Sequence, residues 1–308
     1  MLSRALRRSL ALEVALYVAL AIYGCDASPA TAAGVALAGV LALRATLTAV
    51  TYAYAWACHS PAPPLSPVRA VRMVLGEYAA CVLSFVLIFP FERWWMAPDR
   101  LQTGADPAAG RPDARPPVLL VHGYSCSRAA WWWLRRRLEA AGWRVATISL
   151  EPIYGSIDEY VEPLARRIAA VLAETGAERL LLVGHSMGGL VARAYLQRHG
   201  AARVARLVTL GTPHQGSRIA HLGLGENARQ MQPDSAWLQA LASPAPVLDT
   251  RVLYSPHDNF VMPQERLQLP GATSQAIAGV GHLAMLYSPR VARALLAALA
   301  GTSNTGAA

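Results

Sequence analysis

The sequence predicts an α/β domain, a mostly parallel sheet flanked by helices, carried behind about three apolar helices long enough to cross a membrane. Two observations carry this reading. Short apolar runs alternate with helix-length stretches from residue 116 to 300, as βαβ units do. Ahead of them lie three long apolar stretches, separated from the alternating part by a segment crowded with Pro, Gly, Asp and Ala, the composition of a linker. The expected division is a membrane region at 1–92, a linker at 93–115, the α/β domain at 116–300 and a loose tail at 301–308.

The apolar stretches are residues 9–24, 31–58 and 73–91. The second and third reach the 18 or so residues that a bilayer core requires. The first is shorter, carries Glu13 and follows Arg4, Arg7 and Arg8, so a signal peptide is its alternative. With three spans, the arginine distribution places the N-terminus inside and everything after Phe91 outside. That orientation puts the α/β domain on the outer side of its membrane. Each stretch holds one ionisable residue: Glu13, Arg44 and Glu77. Charges at depth are partnered, so Arg44 is expected to pair with one of the glutamates. The glutamates otherwise reach the headgroups.

In the α/β domain, strands are expected at 118–122, 143–150, 180–183, 204–210, 251–255 and 275–278. Helices are expected at 129–141, 157–175, 188–199 and 289–300. Trp131, Trp132 and Trp133 open the first of these helices, and three adjacent residues cannot share one face, so core and partly exposed surface divide them.

Composition narrows the function. Of 308 residues 54% are hydrophobic and 15% charged, against roughly 25% charged in an ordinary soluble domain. All 28 basic residues are arginine, which excludes lysine-dependent chemistry. They are spread along the chain rather than gathered on one face, so no nucleic-acid partner is expected. Cys25, Cys58, Cys81 and Cys126 form no CxxC pair, and neither a zinc site nor a disulfide framework is indicated.

Ligands of parallel sheets bind beyond the carboxyl ends of the strands, so the residues that follow each strand carry the chemistry. After the third comes Gly184-His185-Ser186-Met187-Gly188-Gly189, a G-x-S-x-G between strand and helix. Its sharp turn exposes the serine, and its glycines avoid clashes. A serine hydroxyl needs a base oriented by a carboxylate. Asp258 follows the fifth strand and His282 lies in the Gly-rich loop after the sixth, giving the order Ser, acid, His. Asp249 is the weaker substitute for the acid, because it precedes its strand. His185 fills a variable position of the turn, and His122 and His214 support the site. Oxyanion stabilisation needs two converging N–H groups. Met187 supplies one, and Tyr124, beside Gly123 in the loop after the first strand, supplies the other.

The set Leu120-Val121-His122-Gly123-Tyr124, Gly184–Gly189 and Gly211-Thr212-Pro213-His214-Gln215-Gly216-Ser217 resembles bacterial α/β-hydrolase-fold lipases and esterases. The third motif is similar to the G-T-P-H-x-G-S of bacterial triacylglycerol lipases. Residues 228–235 also resemble small secreted lipases, where Gly is usual in place of Asp234. The resemblance spans about 116–300. It implies an α/β-hydrolase fold and a serine hydrolase acting on ester or lipid substrates without metal or cofactor, with Ser186, Asp258 and His282 as triad. The three apolar stretches lie outside the secreted-lipase pattern and put free secretion in doubt; together with the resemblance they imply a bacterial inner membrane, with the α/β domain on the periplasmic side and membrane lipid as a partner. The stretch 217–247 is too short for a large mobile lid. Acyl transfer or amide cleavage by the same triad, and a non-catalytic membrane scaffold, are the alternatives.

Overall fold

The structure is a computed structural model that describes residues 1–101, 115–242 and 248–301. The chain begins with α1 (Leu2–Cys25), α2 (Pro29–Ala57), α3 (Pro67–Val82, continued by a π-helical turn at Leu83–Ile88) and the short α4 (Glu92–Trp95). The α/β domain follows as β1 (Val118–Val121), α5 (Trp132–Ala140), β2 (Val145–Ile148), α6 (Val161–Thr175), β3 (Leu180–His185), α7 (Met187–His199) and β4 (Val204–Leu210). It continues with α8 (Glu226–Gln230), α9 (Ala236–Leu241), β5 (Thr250–Tyr254), β6 (Thr273–Ala276) and α10 (Pro289–Ala300). Every expected element is present. The sixth strand begins two residues earlier than expected, because it is an edge strand with mostly exposed side chains and offers little apolar pattern to read.

The six strands form one parallel sheet in the order β2-β1-β3-β4-β5-β6. Its interior strands are buried on both faces, which is why β1 reads Val-Leu-Leu-Val with all four residues inaccessible rather than alternating. One core cluster packs α5 and α10 on one face of the sheet, and a second packs α6 and α7 on the other. Helix starts follow local chemistry. At α2, α3 and α10 a serine side chain accepts from the N–H three residues on, and a proline fills the next position, where its missing donor costs nothing.

The N-terminal region departs from the expected bundle of about three spans. Among the described residues, two helices are long and apolar enough to cross a bilayer, Pro29–Ala57 and Pro67–Ile88. α1, which carries Arg4, Arg7, Arg8 and Glu13, is not one of them. The N-terminus packs against the α/β domain and the end of the third apolar segment. The Met1 ammonium pairs with Glu151, and Ser3 and Arg7 donate to the Pro90 carbonyl at 2.7 Å each. At the far end of α2, the Ser60 N–H donates to Gln264 (2.9 Å) and His257 meets the Pro63 carbonyl (3.0 Å). α1 and α2 are thus a hairpin whose open end rests on the α/β domain and whose turn, at residues 26–28, points away from it. Arginine counting treats each apolar stretch as a crossing and has no view of this docking.

The linker expected at 93–115 is also partly structured. Met96 and Leu101 are buried, and Asp99 pairs with Arg128, Arg135 and Arg167 at 2.7–3.0 Å, clamping this segment to the α/β domain. Residues 102–114 of the linker, and the tail after Gly301, lie outside the described residues.

Arg44 pairs with Glu13, both side chains about one-tenth exposed. Arg44→Leu leaves a buried carboxylate without its partner, a loss on the order of 3–5 kcal/mol. The expected outcome is a clear drop in melting temperature and yield in detergent, largely restored in the double variant with Glu13→Leu. Equal melting of Arg44→Leu and wild type would show the pair to be energetically idle. Glu77 is buried, and its role belongs to the site below.

Candidate functional site

β3 delivers Ser186 into a turn that its neighbours force. Ser186 has φ 54° and ψ −128°, a strained conformation for any residue but glycine, held by its N–H donating to the Leu210 carbonyl at 2.8 Å. The glycines around it are required by close approach. A Cβ on Gly123 would lie 2.8 Å from the Ser186 Cβ, and one on Gly188 would strike the Val121 and His122 carbonyl oxygens. A Cβ on Gly184 would meet the backbone of Gly188 and Gly189. The loop after β1 and the start of α7 therefore interlock around the serine.

Met187 is the first residue of α7, where N–H groups have no partner within the helix. Tyr124 lines the same cavity as Ser186. The Tyr124 hydroxyl both donates to the Leu224 carbonyl and accepts from the Leu224 N–H, at 2.8 Å each. The next residue, Ser125, has φ 51°. His122 secures the base of this loop: its Nε2 accepts from the Leu150 N–H, and its Nδ1 donates to the Gly123 carbonyl, both at 2.9 Å. These partners require the neutral ring, and burial pushes the His122 pKa down to about 4. His214 is likewise buried, with its pKa held well below the usual value, and contacts Thr209 at 3.0 Å.

Asp258 and His282 come together as expected. His282 Nδ1 lies 2.8 Å from Asp258 Oδ2, and both residues are buried. The other carboxylate oxygen of Asp258 accepts the N–H groups of Phe260 (2.7 Å) and Val261 (2.8 Å). With Nδ1 donating to Asp258, the lone pair of His282 sits on Nε2. Burial opposes a proton on this ring. The charge and hydrogen bond of Asp258 outweigh it, with a smaller push from Glu77, and the net pKa is raised above 6.5. The ring lies 4.8 Å from that of His185 and packs beside Gly211, the residue after the carbonyl that holds Ser186. His185 Nε2 donates to the His282 carbonyl at 3.2 Å, so the turn's variable position props the histidine loop. Asp249 plays no part here: it pairs with Arg206 and Arg251.

Sequence reading missed the contribution of the N-terminal helices to this site. Glu77 of α3, which is buried, accepts the N–H groups of Leu283 (2.9 Å) and Ala284 (2.8 Å), directly after His282. Thr51 of α2 accepts from Asn259 Nδ2 at 2.8 Å, and the Asn259 Oδ1 accepts the His282 N–H at 3.0 Å. Ser60 reaches Gln264, which donates to the Asp258 carbonyl at 2.9 Å. Thus α2, α3 and the loop between them hold the two loops that carry Asp258 and His282. Ser186 opens into a cavity of about 510 Å³ between these helices and the α/β domain, within the usual size of a ligand site.

A parallel sheet with a serine at a strand-to-helix elbow and an Asp–His pair on the loops after later strands has the α/β-hydrolase fold. Residues 116–260 match the family model described as alpha/beta hydrolase fold. The chain is 34% identical over 132 residues to a triacylglycerol lipase of Burkholderia plantarii, covering 39% of this chain and 37% of that protein. It is 35% identical over 129 residues to a probable esterase of Oryza sativa subsp. indica, covering 38% and 46%. The chain thus spans less than half the length of these curated relatives. Among solved structures, the mature form of a Bacillus licheniformis lipase superposes with a TM-score of 0.55 at 20% identity, covering 61% of this chain and 94% of that one. That likeness speaks to the fold.

Proposed function

We propose that the protein is a membrane-attached serine hydrolase that cleaves carboxylic esters through an acyl-enzyme. The observation that carries this reading is the buried His282–Asp258 hydrogen bond beside a serine held at positive φ. Ser186 Oγ attacks the ester carbonyl while its proton passes to His282 Nε2, and Asp258 stabilises the resulting imidazolium. The oxyanion is received by the Tyr124 and Met187 N–H groups. Collapse expels the alcohol with the proton from His282. Water then repeats the sequence, releasing the acid and restoring the serine. The names of the curated relatives support an ester or lipid substrate.

Attachment rests on the apolar exterior of the helices. Leu12, Leu16, Leu20, Leu37, Leu43 and Leu75 are exposed, more contiguous apolar surface than a soluble exterior carries. The inner membrane is the proposed location. Because the N-terminus rests on the α/β domain, both lie on one face, and Arg4, Arg7 and Arg8 make that the cytoplasmic face in place of the periplasmic side expected from three crossings.

The test is hydrolysis of p-nitrophenyl esters of graded chain length in detergent, with fluorophosphonate labelling of the same preparation. Turnover together with labelling at Ser186 supports the reading; folded wild type that neither turns over nor labels overturns it. A second expected outcome concerns pH. His282 must be neutral to accept the serine proton, and its pKa is raised. Activity therefore falls as pH drops through a value above 6.5. Asp258→Asn removes the largest raising influence, so the limb moves to lower pH while kcat falls by about 10⁴. A pH–rate profile of the variant with an unmoved limb would remove Asp258 from this role.

A further inference from the structure

We propose that α1, α2 and α3 build the acyl-chain subsite of Ser186 and that a lipid acyl chain reaches it sideways from the bilayer. This rests on the hydrolase reading above and names where its substrate sits. About half of the residues lining the cavity belong to the N-terminal helices, so the site is incomplete without them. One end of the cavity is fixed by Ser186 and by Thr51, whose hydroxyl is bonded to Asn259 beside Asp258. Arg44 lies two helical turns back along α2, about 10 Å at 1.5 Å per residue, and also lines the cavity. Its pair with Glu13 closes that end with a neutralised charge. Between the two ends the wall is apolar, with Leu10, Leu47 and Phe85 from the helices facing Met231 and Phe260 from the α/β domain. An apolar channel with a reacting serine at one end fits one extended hydrocarbon chain attached to an ester.

The direction of access follows from exposure. Leu47 and Val50 of α2 and Leu222 of the α/β domain line the cavity and yet are 52%, 50% and 63% exposed. They form its mouth. Along the same helix Leu43, which also lines the cavity, and Leu37, which does not, are exposed as well. A mouth rimmed by leucine and continuous with an apolar helix face is covered by lipid when the hairpin is in a bilayer, and the chain passes in without crossing water.

The experiment fills the channel from two helices separately. Leu47→Trp and Leu10→Trp are compared with wild type, and with Leu37→Trp on the outer face of α2, for kcat/KM on p-nitrophenyl decanoate and butyrate in detergent. The decanoate-to-butyrate ratio is expected to fall at least about tenfold in both channel variants, the loss of roughly two buried methylenes, and to be unchanged in Leu37→Trp. Fluorophosphonate labelling counts the folded sites, so a misfolded variant is separated from a blocked channel. Should both channel variants label normally with unchanged ratios, the chain lies elsewhere. Wild type that hydrolyses no ester fails the hydrolase reading instead, a distinguishable result. The second arm presents one long-chain ester to protein reconstituted in phosphatidylcholine vesicles, either dissolved in the bilayer or delivered as monomer from water. Faster turnover of the bilayer-borne ester supports lateral access, and faster turnover from water overturns it.

Discussion

Ser186→Ala is expected to abolish ester hydrolysis, lowering kcat by about 10⁵–10⁶-fold, with no loss of thermal stability. The magnitude follows from where the serine sits. The elbow holds it at φ 54°, and alanine adopts that backbone at the same strain, so the fold around the site is unchanged. What disappears is the only atom able to form the acyl-enzyme. The donors of Tyr124 and Met187 survive the change, and so does the cavity, so a small rate above water remains. Because triad members act as a unit, adding His282→Ala to Ser186→Ala is expected to cost little more. Stopped assays with a sensitive fluorogenic ester measure the residual rate, and fluorophosphonate labelling drops to background in parallel. Substantial turnover by Ser186→Ala, at more than about one-hundredth of wild type, would mean that another nucleophile carries the reaction.

The α/β domain was legible because each of its signals is local. A buried strand announces itself in five residues, and Gly184–Gly189 needs its glycines for contacts within the same turn. Asp258 and His282, expected together from their position after strands, lie in hydrogen-bond contact. The N-terminal region obeyed no such rule. Its helices were visible, but their destination was not. A 29-residue apolar helix reads alike whether lipid or another domain covers it, and the arginine pattern carries no information about docking. Arg44 answered to the cost of an unpaired charge and was expected to pair with one of the two glutamates, which in the structure is Glu13. Glu77 and Thr51 could not be assigned, because their partners lie more than 200 residues away, and no short motif encodes such a contact. The edge strand β6 was displaced by two residues for the opposite reason, since exposed side chains leave no pattern to read.

Removing Glu77 is expected to be the most damaging change outside the triad. Its two oxygens accept the Leu283 and Ala284 N–H groups just beyond the base, and each such charge-assisted bond contributes about 1.5–3 kcal/mol. In Glu77→Ala both donors lose their partner in a buried setting, and the loop that aims His282 keeps Asn259, His185 and the Ser255 hydroxyl on the Val280 carbonyl but loses its hold beyond the histidine. A displacement of about 1 Å at a reacting group costs on the order of 100-fold, so kcat is expected to fall by about that factor while KM changes little. Glu77→Gln discriminates between positioning and mere structural support. Its amide oxygen still accepts one N–H, but its NH₂ meets the other donor and the negative charge near His282 is gone. That charge helps to raise the His282 pKa, so the acid limb of the pH–rate profile moves to lower pH in Glu77→Gln, by less than in Asp258→Asn. A purely structural glutamate would lower the yield of folded enzyme and leave the limb of the surviving fraction where it was. Rates per fluorophosphonate-labelled site, measured across pH for both variants, decide between these. A limb unmoved in Glu77→Gln would reduce Glu77 to a buried anchor that joins α3 to the domain.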